Sequence, residues 1–233
     1  MALFDQSHSR SNDEVIGHDA ATRALSVTAV EHDFVADFYE KFASIYDVTM
    51  GPCLHPGRVH SFQKIQFAPG ERLLEVGVGT GMHATMYPSA CDVTGIDISE
   101  NMLEKARKRF ARKGIQNVKL QAMDAANLTF EDDSFDIVCA PFVISVVPDP
   151  VAVVREMRRV CRRGGRIIIL NHFRSANPVL AWIERVISPL TVHIGFKSDL
   201  DLPAFLAQAG LEPVSIEKVS IPRIWSLVVC IKE

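Results

Sequence analysis

The segment LLEVGVGTG (73–81) places glycine at 77, 79 and 81, directly after an apolar run that ends at Val76. Glycine at alternate positions lets a chain leave a strand, turn sharply and bring its backbone against a ligand. Any tight strand-to-helix turn can use the same residues, so the loop by itself is a weak signal. Two carboxylates sharpen it. Asp97 lies twenty residues after Gly77, at the end of the next apolar run. There it can accept hydrogen bonds from ribose hydroxyls. Asp124 ends the run after that, where it can receive an adenine amino group. Glu75, Asp97 and Asp124 therefore gather at the carboxyl edge of three successive strands, the edge at which open α/β sheets bind ligands. Taken singly, an Asp at a strand end equally suits a turn or a helix cap, and Ser99 is expected to be such a cap.

The spacing also excludes alternatives. A dinucleotide fingerprint, G-x-G-x-x-G/A, needs a small residue at position 82, which is Met82. A triphosphate loop needs a Lys-Ser/Thr pair, which is missing. The cysteines, at 53, 91, 139, 161 and 230, are odd in number and never spaced C-x-x-C. Reduced thiols are expected, and neither they nor the histidines have metal-ligand spacing, so no metal site is expected.

The elements that must position these residues alternate from residue 71 onward. Strands are expected over 72–76, 91–97, 117–124, 134–142 and 166–173, and helices over 100–114 and 149–165, each ending in glycine. This order implies an α/β fold with a mostly parallel sheet and helices on both faces. Two further helices (177–190 and 201–210) precede consecutive strands at 213–221 and 223–232, an antiparallel pair that brings the sheet to seven strands. Upstream, residues 1–30 are polar and acidic and read as a mobile tail. Residues 31–68 read as N-terminal helices covering the site, with an aromatic face from Phe34 to Tyr46. MGPCLHPG (50–57), with two Gly and two Pro, is expected to break them, and a second helix is expected over roughly 57–67. Residues 69–233 form the ligand-binding domain.

Composition bounds the function. The chain has 233 residues, 48% hydrophobic and 23% charged, and a net charge of −3. These are globular values, and the charge disfavours a general nucleic-acid binder. The longest apolar stretch, 137–148, is shorter than the ~20 residues a bilayer span needs. The first fifteen residues lack a charged start followed by an apolar core, so no secretory signal is expected.

With Glu75 two residues before Gly77, the G-x-G-x-G loop resembles motif I of the class I S-adenosylmethionine-dependent methyltransferases. The likeness covers roughly residues 70–173 and extends to GIDIS around Asp97, AMDAANL around Asp124 and FDIVCAPFVISVVPDP on the fourth strand. It implies a Rossmann-like fold whose last strand is antiparallel, and S-adenosylmethionine as cofactor. It further implies that Glu75, Gly77 and Gly79 lie beside the methionine moiety. Asp97 and Ile98 would hold the ribose and adenine, Asp124 and Ala125 the adenine edge, and Ala140 the amino-acid end. Amino-group DNA methylases of this class resemble one another in D/N-P-P-Y/F, where this chain has Cys139-Ala140-Pro141-Phe142.

A narrower resemblance, to bacterial phospholipid N-methyltransferases, rests on FYEKFASIYDVTMGPCLHPGR (38–58), LLEVGVGTGMHATMYP (73–88), VTGIDISENMLEKAR (93–107) and NHFRS (171–175). It implies stepwise methylation of phosphatidylethanolamine toward phosphatidylcholine by a cytoplasmic protein that touches the membrane surface reversibly and binds no nucleic acid. The acidic tail departs from a basic amphipathic leader. An aromatic wall can favour a sulfonium or methylated ammonium by cation–π attraction, ~0.5–2 kcal/mol. Tyr46 is expected in that catalytic and cofactor-facing role, with Tyr39 nearby on the acceptor side. His172 and Arg174 are expected at the lipid phosphate or amine, although a satisfied histidine and a solvated arginine fit as well. A quinone or small-molecule C-methyltransferase, or a non-catalytic cofactor-binding module, remains compatible with these residues.

Overall fold

A computed structural model describes residues 51–175, 177–191, 199–219 and 225–233. Tyr39, Tyr46, the tail and the expected helix before residue 50 lie outside the described residues. The first described element is helix α1 (Gly51–Lys64), followed by β1 (Arg72–Val76), β2 (Asp92–Asp97), α2 (Glu100–Lys113), β3 (Val118–Ala122), β4 (Phe135–Pro141) and α3 (Pro150–Val160). Then come β5 (Cys161–His172), α4 (Pro178–Thr191), α5 (Leu202–Ala209), β6 (Pro213–Val219) and β7 (Trp225–Ile231).

The seven strands form one sheet in the order β3-β2-β1-β4-β5-β7-β6. Pairings from β3 through β5 are parallel, and β7 runs antiparallel to both β5 and β6. Strand order reverses between β1 and β4, so their carboxyl ends splay apart and open a crevice. Alternation along the central strands builds a core on each face. Leu74, Val138 and Ile167 pack with Met157 of α3 and Phe205 of α5. Leu73, Ile137 and Ile168 pack with Leu103 and Phe110 of α2. Each strand supplies both faces because successive side chains point to opposite sides.

Helix α2 is bounded as expected: Ser99 Oγ accepts from Met102 N, and Gly114 closes it at φ 67°. Two boundaries differ from the sequence reading. MGPCLHPG does not break α1, which runs through Pro56. Proline removes one helix amide, but tertiary packing outweighs that loss. A Cβ on Gly57 would stand 3.2 Å from Trp225 and 3.4 Å from Phe142, so glycine here lets α1 lie close against the sheet. At the second boundary, α3 ends at Val160 and the next residue already pairs in β5, Cys161 opposite Phe135. Arg162 and Arg163, expected in the helix, therefore belong to a strand. Arg162 Nε binds Asp136 at 2.5 Å, and the Gly164–Gly165 pair exchanges backbone bonds with Lys232.

The loop between β3 and β4 is tied to α3 by one side chain. Arg159 donates to both carboxylate oxygens of Glu156, at 2.9 and 2.8 Å, and to the carbonyls of Leu128 and Phe130, each at 2.8 Å. Glu156 in turn accepts from Leu128 N at 2.8 Å. Arg159→Ala should cost ~1–3 kcal/mol for hydrogen bonds to charged groups, toward the low end because the pair is partly wet. Arg159 beside Glu156 holds that carboxyl below its usual range, and the Leu128 amide adds to this. A depressed carboxylate stabilises above its unfolded pKa, and that stability is lost as pH falls through the folded value. In urea denaturation, the gap between wild type and Arg159→Ala should therefore narrow on acidification. A gap independent of pH would contradict this.

Candidate functional site

At the reversal of strand order lies a cavity of about 260 Å3. It is lined by Glu75, Gly77, Gly79, Asp97, Ile98, Asp124 and Ala125, which the sequence singled out, and by Arg58, His83 and Phe142, which it did not. Ala140 is fully buried within β4 and does not line it; the next residues, Pro141 and Phe142, do. His172 and Arg174 also stand outside the lining. His172 Nε2 lies 3.4 Å from Glu184 Oε1, and Arg174 pairs with Asp201.

The glycine loop has two distinct demands. Gly77 has φ 67°, and a Cβ there would fall 2.2 Å from a methyl of Val143. Gly79 has φ 54° but meets nothing within 4 Å, so its missing side chain leaves cavity space. The loop is latched to the end of β2: Val78 N donates to Ile96 O and Gly79 N to Asp97 Oδ2, each at 2.8 Å. Ser99 N donates to Asp97 Oδ1 at 2.9 Å. Burial pushes the Asp97 carboxyl up, while the Ser99 and Gly79 amides pull it back.

Glu75, only 1% exposed, is the penultimate residue of β1, beneath this loop. Its Oε2 lies 3.1 Å from His83 Nδ1, and the Tyr87 hydroxyl lies 3.0 Å from the same nitrogen. Glu75 Oε1 and His83 Nε2 are buried without a hydrogen-bond partner. On the other wall, the buried Arg58 guanidinium sits 5.2 Å from the centre of the Phe142 ring. That ring meets Trp225 edge-on at 4.9 Å. Phe142 adopts φ 63°, a region costly for a bulky side chain, and the strain is held by the hydrogen bond its backbone N–H donates to Leu170 O.

These residues fit S-adenosylmethionine. The orphaned Glu75 oxygen suits a cationic amino-acid end, the space at Gly79 admits close approach, and the Asp97 carboxylate lines the same cavity. Ile98, Met102, Val146 and Val147 supply an apolar bed. A seven-stranded, mostly parallel sheet with an antiparallel β7 and a cavity at the reversal of strand order is a Rossmann-like fold. A methyltransferase-domain family model matches residues 74–169. Phosphatidylethanolamine N-methyltransferase of Cereibacter sphaeroides is 41% identical over 186 residues, covering 79% of this chain and 91% of that protein. The 27-O-demethylrifamycin SV methyltransferase of Amycolatopsis mediterranei is 32% identical over 203 residues, covering 78% and 75%. The YcgJ protein of Bacillus subtilis superposes with a TM-score of 0.59 at 25% identity, covering 70% and 72%. The chain belongs to the class I S-adenosylmethionine-dependent methyltransferases, and S-adenosylmethionine is its cofactor.

Arg58 and His83 gave no sequence signal of their own. Arg58 closes the 38–58 segment, far from the glycine loop in sequence, and reaches the cavity through the packing of α1. His83 follows the loop, but its partner Glu75 precedes it, and no regular spacing links them.

Proposed function

We propose that the protein methylates the amine of phosphatidylethanolamine and its partly methylated products, toward phosphatidylcholine. The observation that carries this reading is the 41% identity spanning 91% of the Cereibacter phosphatidylethanolamine N-methyltransferase, far beyond the cofactor core. Bound S-adenosylmethionine supplies a methyl group on a sulfonium, the electrophile of an in-line displacement. The chain's own residues bind and orient. Asp97 and Ile98 take the ribose and adenine, Asp124 and Ala125 the adenine edge, and Glu75, Gly77 and Gly79 the methionine moiety. Ala140 supports the amino-acid end from within β4. Holding amine and methyl donor together supplies much of the rate. Tyr46 is the proposed wall over the reacting methyl, with Tyr39 toward the acceptor. Arg58 lines the cavity, whereas His172 and Arg174 stand outside it, and Arg58 is the better-placed cation for the lipid phosphate. The acceptor is reached from the bilayer surface; among the described residues no helix is long and apolar enough to cross a membrane.

The test is transfer of labelled methyl groups from S-adenosylmethionine into phosphatidylethanolamine vesicles and into total lipid extract, resolved by head group. Label should appear in mono- and dimethylated phosphatidylethanolamine and in phosphatidylcholine. A small-molecule acceptor is the second reading, favoured by the similarity to the rifamycin enzyme. Label confined to quinones or other small molecules would sink the lipid reading in its favour.

A further inference from the structure

The buried group beside the cavity contains more than the cofactor site requires. Glu75 is 1% and His83 3% exposed, and Tyr87 is also buried. A carboxylate oxygen only accepts, so the 3.1 Å contact places a proton on His83 Nδ1. Nδ1–H then cannot receive the Tyr87 hydroxyl, 3.0 Å away; the hydroxyl oxygen shares that proton, and its own O–H is free to turn to the carboxylate. Burial, Cys139 and Glu75 push the Tyr87 pKa up, and burial and Glu75 do the same for the Cys139 thiol. Both groups therefore stay protonated. His83 and Tyr87 also meet edge-on, with ring centres 5.2 Å apart, which fixes the imidazole plane. His83 thus meets the Oε2 side of the Glu75 carboxyl with Tyr87 beside it, and Oε1 is left without a partner.

We propose that His83 and Tyr87 are positioning residues that hold Glu75 Oε2 so that Oε1 is presented to the ammonium of the cofactor's amino-acid end. The proposal rests on the assignment of Glu75 to that end of the cofactor. A carboxylate free to rotate would spread its charge over several orientations. One clamped by charge-assisted bonds in a buried network meets the ammonium without rearranging.

Two ligands separate this role from a general structural one. S-adenosylhomocysteine carries the amino-acid end, and 5′-methylthioadenosine keeps the nucleoside and thioether without it. Calorimetric titration of the full chain should show His83→Leu losing about tenfold or more in affinity for S-adenosylhomocysteine. Its affinity for 5′-methylthioadenosine should be unchanged. His83→Asn, whose amide nitrogen stands near the place of Nδ1, should recover most of the loss, and Tyr87→Phe should show a smaller loss of the same selectivity. Glu75→Gln serves as the reference, with the largest difference between the two ligands. Equal weakening of both ligands in His83→Leu, or no weakening while Glu75→Gln still discriminates, would overturn the positioning role. If Glu75→Gln itself fails to discriminate, the assignment of Glu75 falls and the proposal with it.

Discussion

Gly77→Ala should unfold the protein more readily by ~2–5 kcal/mol, combining a left-handed backbone cost of ~1–2 kcal/mol with overpacking of ~1–3 kcal/mol. The new methyl would fall 2.2 Å from Val143, a stiff β-branched side chain held in the core beneath β1. Gly79→Ala should behave otherwise. It carries the backbone cost, ~1–2 kcal/mol, and no clash. Its methyl instead takes cavity space, so affinity for S-adenosylmethionine should fall by about tenfold or more, the equivalent of ~1.4 kcal/mol. Urea denaturation and calorimetry on both variants check the contrast. Equal stability losses, or undiminished binding by Gly79→Ala, would show that the loop is not organised as described.

Asp97→Ala should remove the acceptor for the ribose hydroxyls and release the latch on Gly79. At ~1.5–3 kcal/mol for hydrogen bonds to a charged group, affinity should drop by about ten- to a hundredfold. The pH dependence has a defined sign. Burial raises the folded pKa of Asp97 above its ordinary 3.8. Folding then favours the protonated form, so Asp97 lowers stability as pH rises through the interval between its unfolded and folded values. Binding runs the other way, because the ionised carboxylate is the stronger acceptor. The affinity gap between wild type and Asp97→Ala should therefore close on acidification, beginning above the pH at which an exposed aspartate titrates. Calorimetric titrations of both proteins across the acidic range measure it; a gap that stays constant there would remove Asp97 from the ribose site.

Much of the fold was legible because each central strand carries its own apolar run and each turn its own glycine. The placement of several cavity-lining residues was legible for the same reason: Gly77, Asp97 and Asp124 sit at or just past strand ends, where local sequence decides position. The opposite wall was not. Arg58 enters the cavity only because α1 continues through Pro56 and lies against Trp225 and Phe142, an outcome of tertiary packing that overrides local breakers. Phe142 holds a backbone conformation that its residue type disfavours, so no propensity could announce it. Arg174 stands at the same sheet edge but outside the cavity lining, where it pairs with Asp201. The end of α3 was misplaced because Arg162 and Arg163 suit the last turn of a helix until Cys161 finds Phe135 across the sheet.

The placement of β7 bears on how the chain is made. It follows β6 in sequence but lies between β5 and β6 in the sheet. As the polypeptide leaves the ribosome, β5 is synthesised long before residues 225–231, which supply its second neighbour. Until they emerge, β5 presents an apolar strand with one row of unmet backbone groups, and β6 has no neighbour in the sheet. The nascent chain is therefore most prone to association between the emergence of β5 and that of β7, when every residue of the cavity lining has been made and the sheet is still open.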